Sequence, residues 1–486
     1  MLNKITRKRQ GRENFYITTT LPYVNADPHI GFALEIIQAD VIARSKRQQG
    51  YRVFFNMGSD EHGVKILRKA QEANMDPKAY CDIYAAKFDN LKQALNVTYD
   101  NFIRTTDEHH VAAAQEFWLR CQKNGDIYKK NYKIKYCVGC ELEKTDSELE
   151  HGKCPIHPNL EVELIEEENY FFTYSNYQKK LLDFYKKNPD FVVPASRLHE
   201  ISEFTKKGLE DFSISRLKEK MPWGVPVPGD DKHVMYVWFD ALVGYISALG
   251  WPENEKHFKT FWPGMQVAGK DNLRQQSSMW QAMLLSAGLP NSTQIFIHGF
   301  ITSNGQKMSK SLGNVVDPFE LVKKYGTDAV RYYLLREITP SEDGDFTIEK
   351  FEQRYQSDLS GGIGNLLSRT VALAKKMQLT DSKIKNKDLK LKISETKKSV
   401  EKSLQEYKFN EALKSIWELT SFCDKYINEE KPWEGNANAS QVVSDIFFAL
   451  KGVSEFLLPF LPETAEKIDK AVRNKEMIQL FPRLLT

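Results

Sequence analysis

Hydrophobic and polar positions change period several times along the chain, and these changes divide it. Asn14 to Thr20 is a short β-rich run, broken at Leu21-Pro22-Tyr23 and followed by a loop through Pro28. From Ile30 to Gln48 the apolar residues Ala33, Ile36, Ile37, Val41 and Ile42 recur at helical spacing. Gly50 ends that helix, and Arg52 to Met57 reads as a second strand. Strand, helix, strand in this order predicts a βαβ unit and hence a parallel sheet. The pattern returns later: a strand at Gln266 to Ala268 opens onto Gly269-Lys270-Asp271, a helix runs on through Ser286, and Gln294 to His298 is another strand. Between the halves lies a different segment, about Asn124 to Pro222, with clustered cysteines and an acidic-aromatic stretch from Glu161 to Tyr174. It reads as an insertion splitting one α/β domain. Beyond about Phe346 the strand signals fade, and Ala372, Leu373, Ala412, Leu413, Ile416 and Leu419 mark a helical bundle. Eleven lysines between Lys375 and Lys408 read as a solvated linker and helix face.

Composition narrows the class. With 486 residues, about three domains are expected at roughly 150 residues each. Lys+Arg is 68 against Asp+Glu 65, a formal charge of +3, which argues against a general polyanion binder but leaves room for a local basic face. There is no apolar run long enough to cross a bilayer, and Met1 to Asn14 lacks the apolar stretch of a secretory signal. A cytoplasmic protein with no membrane partner is expected. Six cysteines are too few for a disulfide scaffold.

Three stretches carry candidate chemistry. Pro28-His29-Ile30-Gly31 sits between a strand and a helix, where free N–H groups and the helix dipole suit a phosphate. Gly31 allows close backbone approach and His29 can donate to a phosphate oxygen, although a lone histidine before a helix is structural more often than not. Lys307-Met308-Ser309-Lys310-Ser311 lies in a glycine-flanked loop, where two lysines three apart can close over a polyphosphate and neutralise charge developing on a leaving pyrophosphate. Cys137-Val138-Gly139-Cys140 and Cys154-Pro155-Ile156-His157, thirteen residues apart, form CxxC and CxxH pairs. Three thiolates and one imidazole suit closed tetrahedral zinc, with no position left for an activated water, so the zinc is expected to be structural. Cys81, Cys121 and Cys423 fall on helical patterns and read as buried small hydrophobes.

The pairing of His-Ile-Gly with Lys-Met-Ser-Lys-Ser resembles the signatures of class I aminoacyl-tRNA synthetases. Thr18 to Gly31, Gly58 to Gly63, Tyr236 to Tyr245 and the C-terminal helices are similar to the methionyl-tRNA synthetase family, over nearly the whole chain. The resemblance implies an α/β fold: a Rossmann-type parallel sheet split by a zinc-binding insertion, then an all-α anticodon-binding helical bundle. The implied domains are 1–123 and 223–316 for the two catalytic halves, 124–222 for the insertion, 317–355 for a linking stem-contact region and 356–486 for the bundle. It also implies an ATP-dependent methionine–tRNA ligase acting through methionyl-adenylate, with Mg²⁺ on the ATP phosphates and tRNA(Met) as partner. Carried over by residue, His29, Lys307 and Lys310 are catalytic. Gly31, Glu35, Gly269 and Asp271 join them at ATP. Asp60 anchors the methionine ammonium, and Leu21, Tyr23, Trp238, Ala241, Tyr245 and Gln276 line its side-chain pocket. Asn365, Arg369 and Trp433 resemble the readers of the CAU anticodon.

The sequence departs from the family pattern in places. Phe32 stands where a second histidine is usual, Asn272-Leu273-Arg274-Gln275-Gln276 replaces apolar, aromatic and histidine residues, Leu242 stands for a proline, and His157 for a commoner cysteine. Rival readings are a synthetase for isoleucine, valine or leucine, a noncatalytic RNA-binding paralogue, and a zinc-dependent regulator. The insertion of about a hundred residues is short for the editing domain of the first, and the last leaves Lys307 to Ser311 unexplained. With no dimerising domain appended before Thr486, a monomer is expected.

Overall fold

The computed structural model describes residues 13–140, 142–144, 146–308, 313–379 and 383–484. Six parallel strands form the central sheet. Asn14–Thr19 lies inside it, flanked by Arg52–Ser59 and then Asn101–Arg104 on one side. On its other side are Met265–Gly269, Gln294–His298 and Val192–Val193. The strands before the insertion therefore build outward one way and those after it the other, with Val192–Val193 of the insertion at the far edge. The boundary between Asn14–Thr19 and Met265–Gly269, paired from Ile17↔Met265 to Thr19↔Val267, is the switch point at which ligands bind in such sheets. Helix Ile30–Gln48 packs on the sheet through Ala33, Leu34, Ile36, Ile37, Val41 and Ile42, all buried.

The inserted segment is built on a long antiparallel pair, Ile127–Cys137 with Glu163–Phe172, in register from Ile127↔Phe172 to Tyr136↔Glu163. Its acidic stretch is a strand whose carboxylates face lysines across the ladder, as in Lys133–Glu166 at 3.1 Å. The same segment also returns to the catalytic sheet, since Val192–Val193 supplies its edge strand.

After the last strand, Gly344–Phe346, the chain is helical, with Asn365–Lys376, Lys387–Gln405, Phe409–Glu430, Ala439–Leu457 and Pro462–Asn474. Among the described residues no helix is long and apolar enough to cross a membrane. The bundle and the catalytic domain share one hydrophobic core, with Phe296 packed against Tyr407 and Phe409 at ring distances of 5.0 and 6.1 Å. Arg331 is fully buried at this junction. It pairs with Asp40 at 2.9 Å and donates to the carbonyls of Leu95, Phe460 and Pro459 at 3.0, 2.7 and 3.1 Å. One side chain thus ties the first helix of the catalytic domain to the turn between the last two bundle helices.

Candidate active site

Helix Ile30–Gln48 begins at the C-terminal edge of the sheet, and His29 caps it. Its backbone is extended, and Nδ1 accepts the N–H of Gly31 at 3.1 Å. With Nδ1 accepting, the neutral ring carries its proton on Nε2, which can donate to an anion. A Cβ at position 31 would lie 2.9 Å from Cε1 of His29, so glycine is what lets the imidazole fold over the helix end. Phe32 cannot donate; its ring packs edge-on against Phe88 at 5.2 Å.

One turn further, Glu35 is buried. Its Oε1 accepts the N–H and the hydroxyl of Thr20 at 2.8 and 2.5 Å, and its Oε2 lies 2.9 Å from Nε2 of His298. Nδ1 of His298 lies 2.7 Å from the carbonyl of Gly299. A carbonyl only accepts, so the ring donates through Nδ1, and a proton between Nε2 and the carboxylate completes an imidazolium–carboxylate pair. Burial pulls the pKa of His298 down, but its bond and charge contact with Glu35, its bond to Gly299 and the charge of Asp271 together outweigh burial and the net shift is upward. Gly269 pairs with His298 across the strands, and Asp271 follows in the next turn. Lys270 reaches away to Asp343 at 2.6 Å. The strand Gln306–Lys307 pairs with Ile301–Ser303, which sets the backbone of Lys307 beside this edge of the sheet. Lys310 lies outside the described residues.

The methionine candidates converge beside this end. Tyr23 bridges to Asp60, the N–H of Asp60 donates to Pro22 at 2.9 Å, and Asp60 is only 2% exposed. The Tyr23 and Trp238 rings meet edge-on at 6.4 Å. Leu21 fits between two glycines: a Cβ at Gly58 or Gly244 would come within 2.9 or 2.6 Å of it. Trp238, Ala241 and Tyr245 lie on helix Val237–Ser247 at spacings of three and four, hence on one face. Gln276, on the π-helical segment Gln275–Met279, donates to the Tyr245 hydroxyl at 2.6 Å and accepts from Gln266 at 2.7 Å. This glutamine is therefore hydrogen-bonded on both sides among the buried residues next to Tyr245.

Sequence reasoning missed the clamp behind the pocket, as it missed His298. Asp240 is fully buried and lies 2.6 Å from Nδ1 of His62 and 2.7 Å from Nε2 of His110. Burial alone would raise its pKa, but the two histidines hold it at about 2. The clamp fastens the loop bearing Asp60 to the helix bearing Trp238. A histidine at the C-terminal end of a strand was the available signal for His298; Asp240 gave none beyond its place next to Ala241.

Cys137, Cys140, Cys154 and His157 bring their donor atoms within 4.8 Å of one another. Individual separations are 3.5 Å for Cys140–Cys154, 3.3 Å for Cys140–His157 and 3.9 Å for Cys137–His157. A Cβ at Gly139 would sit 2.4 Å from the His157 ring, so the glycine of the first turn makes room for the fourth donor. Cys81, Cys121 and Cys423 are buried and apart from this cluster, and burial raises the pKa of each, to about 12 for Cys121 and Cys423.

In the bundle, Asn365 and Arg369 are one turn apart on helix Asn365–Lys376. Arg369 is held by Asp424 and Asn428 at 3.1 and 2.7 Å and lies 5.4 Å over the Trp433 ring, which is 43% exposed. The structure thus brings Arg369 and Trp433 into one surface.

A switch point in a parallel sheet, a histidine-capped helix start beside it and the Lys-Met-Ser-Lys-Ser motif in the second half of the chain are features of class I aminoacyl-tRNA synthetases. Residues 15–163 and 157–371 match the family model described as tRNA synthetases class I (M), and 386–484 match the anticodon-binding domain of tRNA ligase. The methionine–tRNA ligase of Thermotoga maritima is 44% identical over 478 residues, covering 95% of this chain and 76% of that protein. That of Thermosynechococcus vestitus is 45% identical over 475 residues, covering 94% and 89%. The Mycobacterium tuberculosis methionyl-tRNA synthetase, solved in complex with methionyl-adenylate, superposes with a TM-score of 0.90 at 34% identity, covering 97% of this chain and 98% of that one. The chain belongs to the methionyl-tRNA synthetase family.

Proposed function

We propose that this chain ligates L-methionine to tRNA(Met) in two steps at the switch point. The observation that carries the reading is the convergence of Leu21, Tyr23, Asp60, Trp238, Tyr245 and Gln276 beside the His29-capped helix, in a chain of this family. Methionine enters with its ammonium on Asp60 and its side chain among Leu21, Tyr23, Trp238, Ala241 and Tyr245, where aromatic rings suit a thioether. ATP is taken as its Mg²⁺ complex, with the ribose toward Glu35, Gly269 and Asp271 and the phosphates toward His29, Gly31, Lys307 and Lys310. A methionine carboxylate oxygen attacks the α-phosphorus, the bond to the β-phosphate oxygen breaks, and pyrophosphate leaves. No protein nucleophile is needed, so positioning and charge neutralisation provide the acceleration. A terminal ribose hydroxyl of the tRNA then attacks the adenylate carbonyl, giving methionyl-tRNA and AMP. Asn365, Arg369 and the exposed face of Trp433 read the unpaired anticodon by hydrogen bonding and stacking.

The test is methionine-dependent exchange of pyrophosphate into ATP. Lys310→Ala is expected to lower its rate by about 100-fold or more, the usual cost of removing a transition-state charge partner. Unchanged exchange contradicts the role of Lys310.

The four-donor cluster fits zinc. A tetrahedral ion with sulfur at about 2.3 Å and nitrogen at about 2.0 Å needs donor separations of roughly 3.5–3.8 Å, close to those found. Bound there, zinc cross-links the tip of the insertion and has no open position for chemistry. Metal analysis of the purified chain is expected to give one zinc per molecule, falling to near zero in Cys154→Ser. A stoichiometry near zero in the unaltered protein contradicts the assignment.

A further inference from the structure

We propose that His298 is a positioning residue for the nucleotide, holding the Glu35 carboxylate so that one remaining lone pair of Oε2 accepts a ribose hydroxyl of ATP. The inference rests on the reading of Glu35 as a ribose contact and adds the device that makes it one.

An ionised carboxylate offers about four acceptor sites. The N–H and hydroxyl of Thr20 take two of them on Oε1, and Nε2 of His298 takes one on Oε2. One site remains, enough for one hydroxyl and no more. The three groups come from three elements: Thr20 follows the strand Asn14–Thr19, His298 ends the strand Gln294–His298, and Glu35 is on the helix Ile30–Gln48. The carboxylate is therefore fixed relative to both halves of the sheet at the switch point.

The histidine is itself fixed. Its Nδ1 is spent on the Gly299 carbonyl at 2.7 Å. Residue 299 cannot shift easily, because its N–H donates to Pro340 at 3.2 Å and a Cβ there would overlap the carbonyl oxygen of Glu342 at 2.0 Å. The ring must therefore present Nε2 to Glu35. A proton between them makes a charge-assisted bond, whereas a bare Nε2 lone pair would repel the carboxylate and turn Oε2 away from its place. The charged groups acting on the imidazole are Glu35 and Asp271, both acids, and both favour the protonated ring. Ordinary packing does not account for the pairing, since an apolar side chain would fill the same volume and leave Oε2 without its donor.

The experiment compares exchange kinetics with ATP, 2′-deoxyATP and 3′-deoxyATP in the unaltered chain, His298→Ala, His298→Gln and Glu35→Gln. Methionine-dependent exchange by the unaltered chain comes first; its absence overturns the proposed function rather than this inference. With ATP, His298→Ala is expected to raise KM by about tenfold or more while kcat changes by less than about threefold. His298→Gln, whose amide can still donate to Oε2, is expected to recover most of that loss. With the deoxynucleotide lacking the hydroxyl that Glu35 accepts, the unaltered chain and His298→Ala should share the same KM within about twofold, because the contact is already gone. An equal penalty with all three nucleotides, or a fall in kcat alone, overturns the proposal. So does a Glu35→Gln variant that discriminates the deoxynucleotides as the unaltered chain does. If thermal melting shows His298→Ala unfolded, His298→Leu, which fills the volume without a donor, takes its place: a KM penalty that vanishes with one deoxynucleotide supports the proposal, and a penalty that persists with both, or no penalty with ATP, overturns it.

Discussion

Asp60→Asn is expected to raise the KM for methionine by roughly 30- to 4,000-fold, with a much smaller change in the KM for ATP. Asp60 is nearly inaccessible to solvent, and its backbone is fastened to Pro22 and Tyr23 at the edge of the central strand. In the proposed binding mode a methionine ammonium loses water there and meets rings and alkyl groups, namely Tyr23, Trp238 and Leu21, which compensate a desolvated charge only weakly. The carboxylate supplies that compensation. Asparagine keeps the shape and one acceptor but removes the charge, and breaking one side of a buried hydrogen-bonded charge pair costs about 2–5 kcal/mol. In the proposed binding mode ATP lies at the other end of the site, so its KM reports whether the fold has been preserved. Exchange rates at varied methionine and varied ATP measure both. Equal shifts in the two constants, or none, would contradict the assignment.

The second large effect concerns the junction. Arg331→Met is expected to lower the stability of the folded chain by about 3–5 kcal/mol, the cost of removing one member of a buried ion pair. Methionine fills similar volume, but it leaves Asp40 buried with Arg44 as its remaining cation at 2.7 Å. It also leaves the carbonyls of Leu95, Pro459 and Phe460 without this donor. Asp40 and Leu95 belong to the catalytic side and Pro459 and Phe460 to the bundle turn, so the loss should appear as earlier release of the bundle. The midpoint of the first urea transition, followed by circular dichroism, reports it. A loss under about 1 kcal/mol would show that the junction rests on the apolar contacts of Phe296, Tyr407 and Phe409.

Local patterns made much of this architecture legible. Helix Ile30–Gln48 stands where the apolar period placed it, and it is buried all round from Ala33 to Ala43, between the sheet and helix Thr327–Arg336. The second strand runs two residues beyond the expected Met57, since Gly58 and Ser59 pair with Ile103 and Arg104, a long-range partner that no local period reveals. The helix expected after Asp271 is instead a 3₁₀ turn, a π segment and an α-helix in succession, a distinction of hydrogen-bond register that hydrophobic spacing does not encode. The edge strand Val192–Val193 is two residues long, too short for any alternation to show.

The site follows the same rule. His29, Gly31, Asp60 and the cysteine pairs sit in short contiguous motifs whose chemistry depends on neighbours in sequence. His298 and Asp240 depend on partners 263, 178 and 130 residues away, so their importance emerges only once the sheet closes. Gln276 lies between these cases. The sequence raised it as a substitute hydrogen-bond partner, and the bond to Tyr245 shows what it pairs with.

The most direct measurement is pyrophosphate exchange into ATP by the purified chain, run with each of the twenty amino acids in turn. The convergence of Leu21, Tyr23, Trp238 and Tyr245, together with membership of the methionyl-tRNA synthetase family, predicts exchange with methionine far above every other amino acid, including isoleucine, leucine and valine. Exchange supported by one of those three and not by methionine, or by no amino acid at all, would contradict the account.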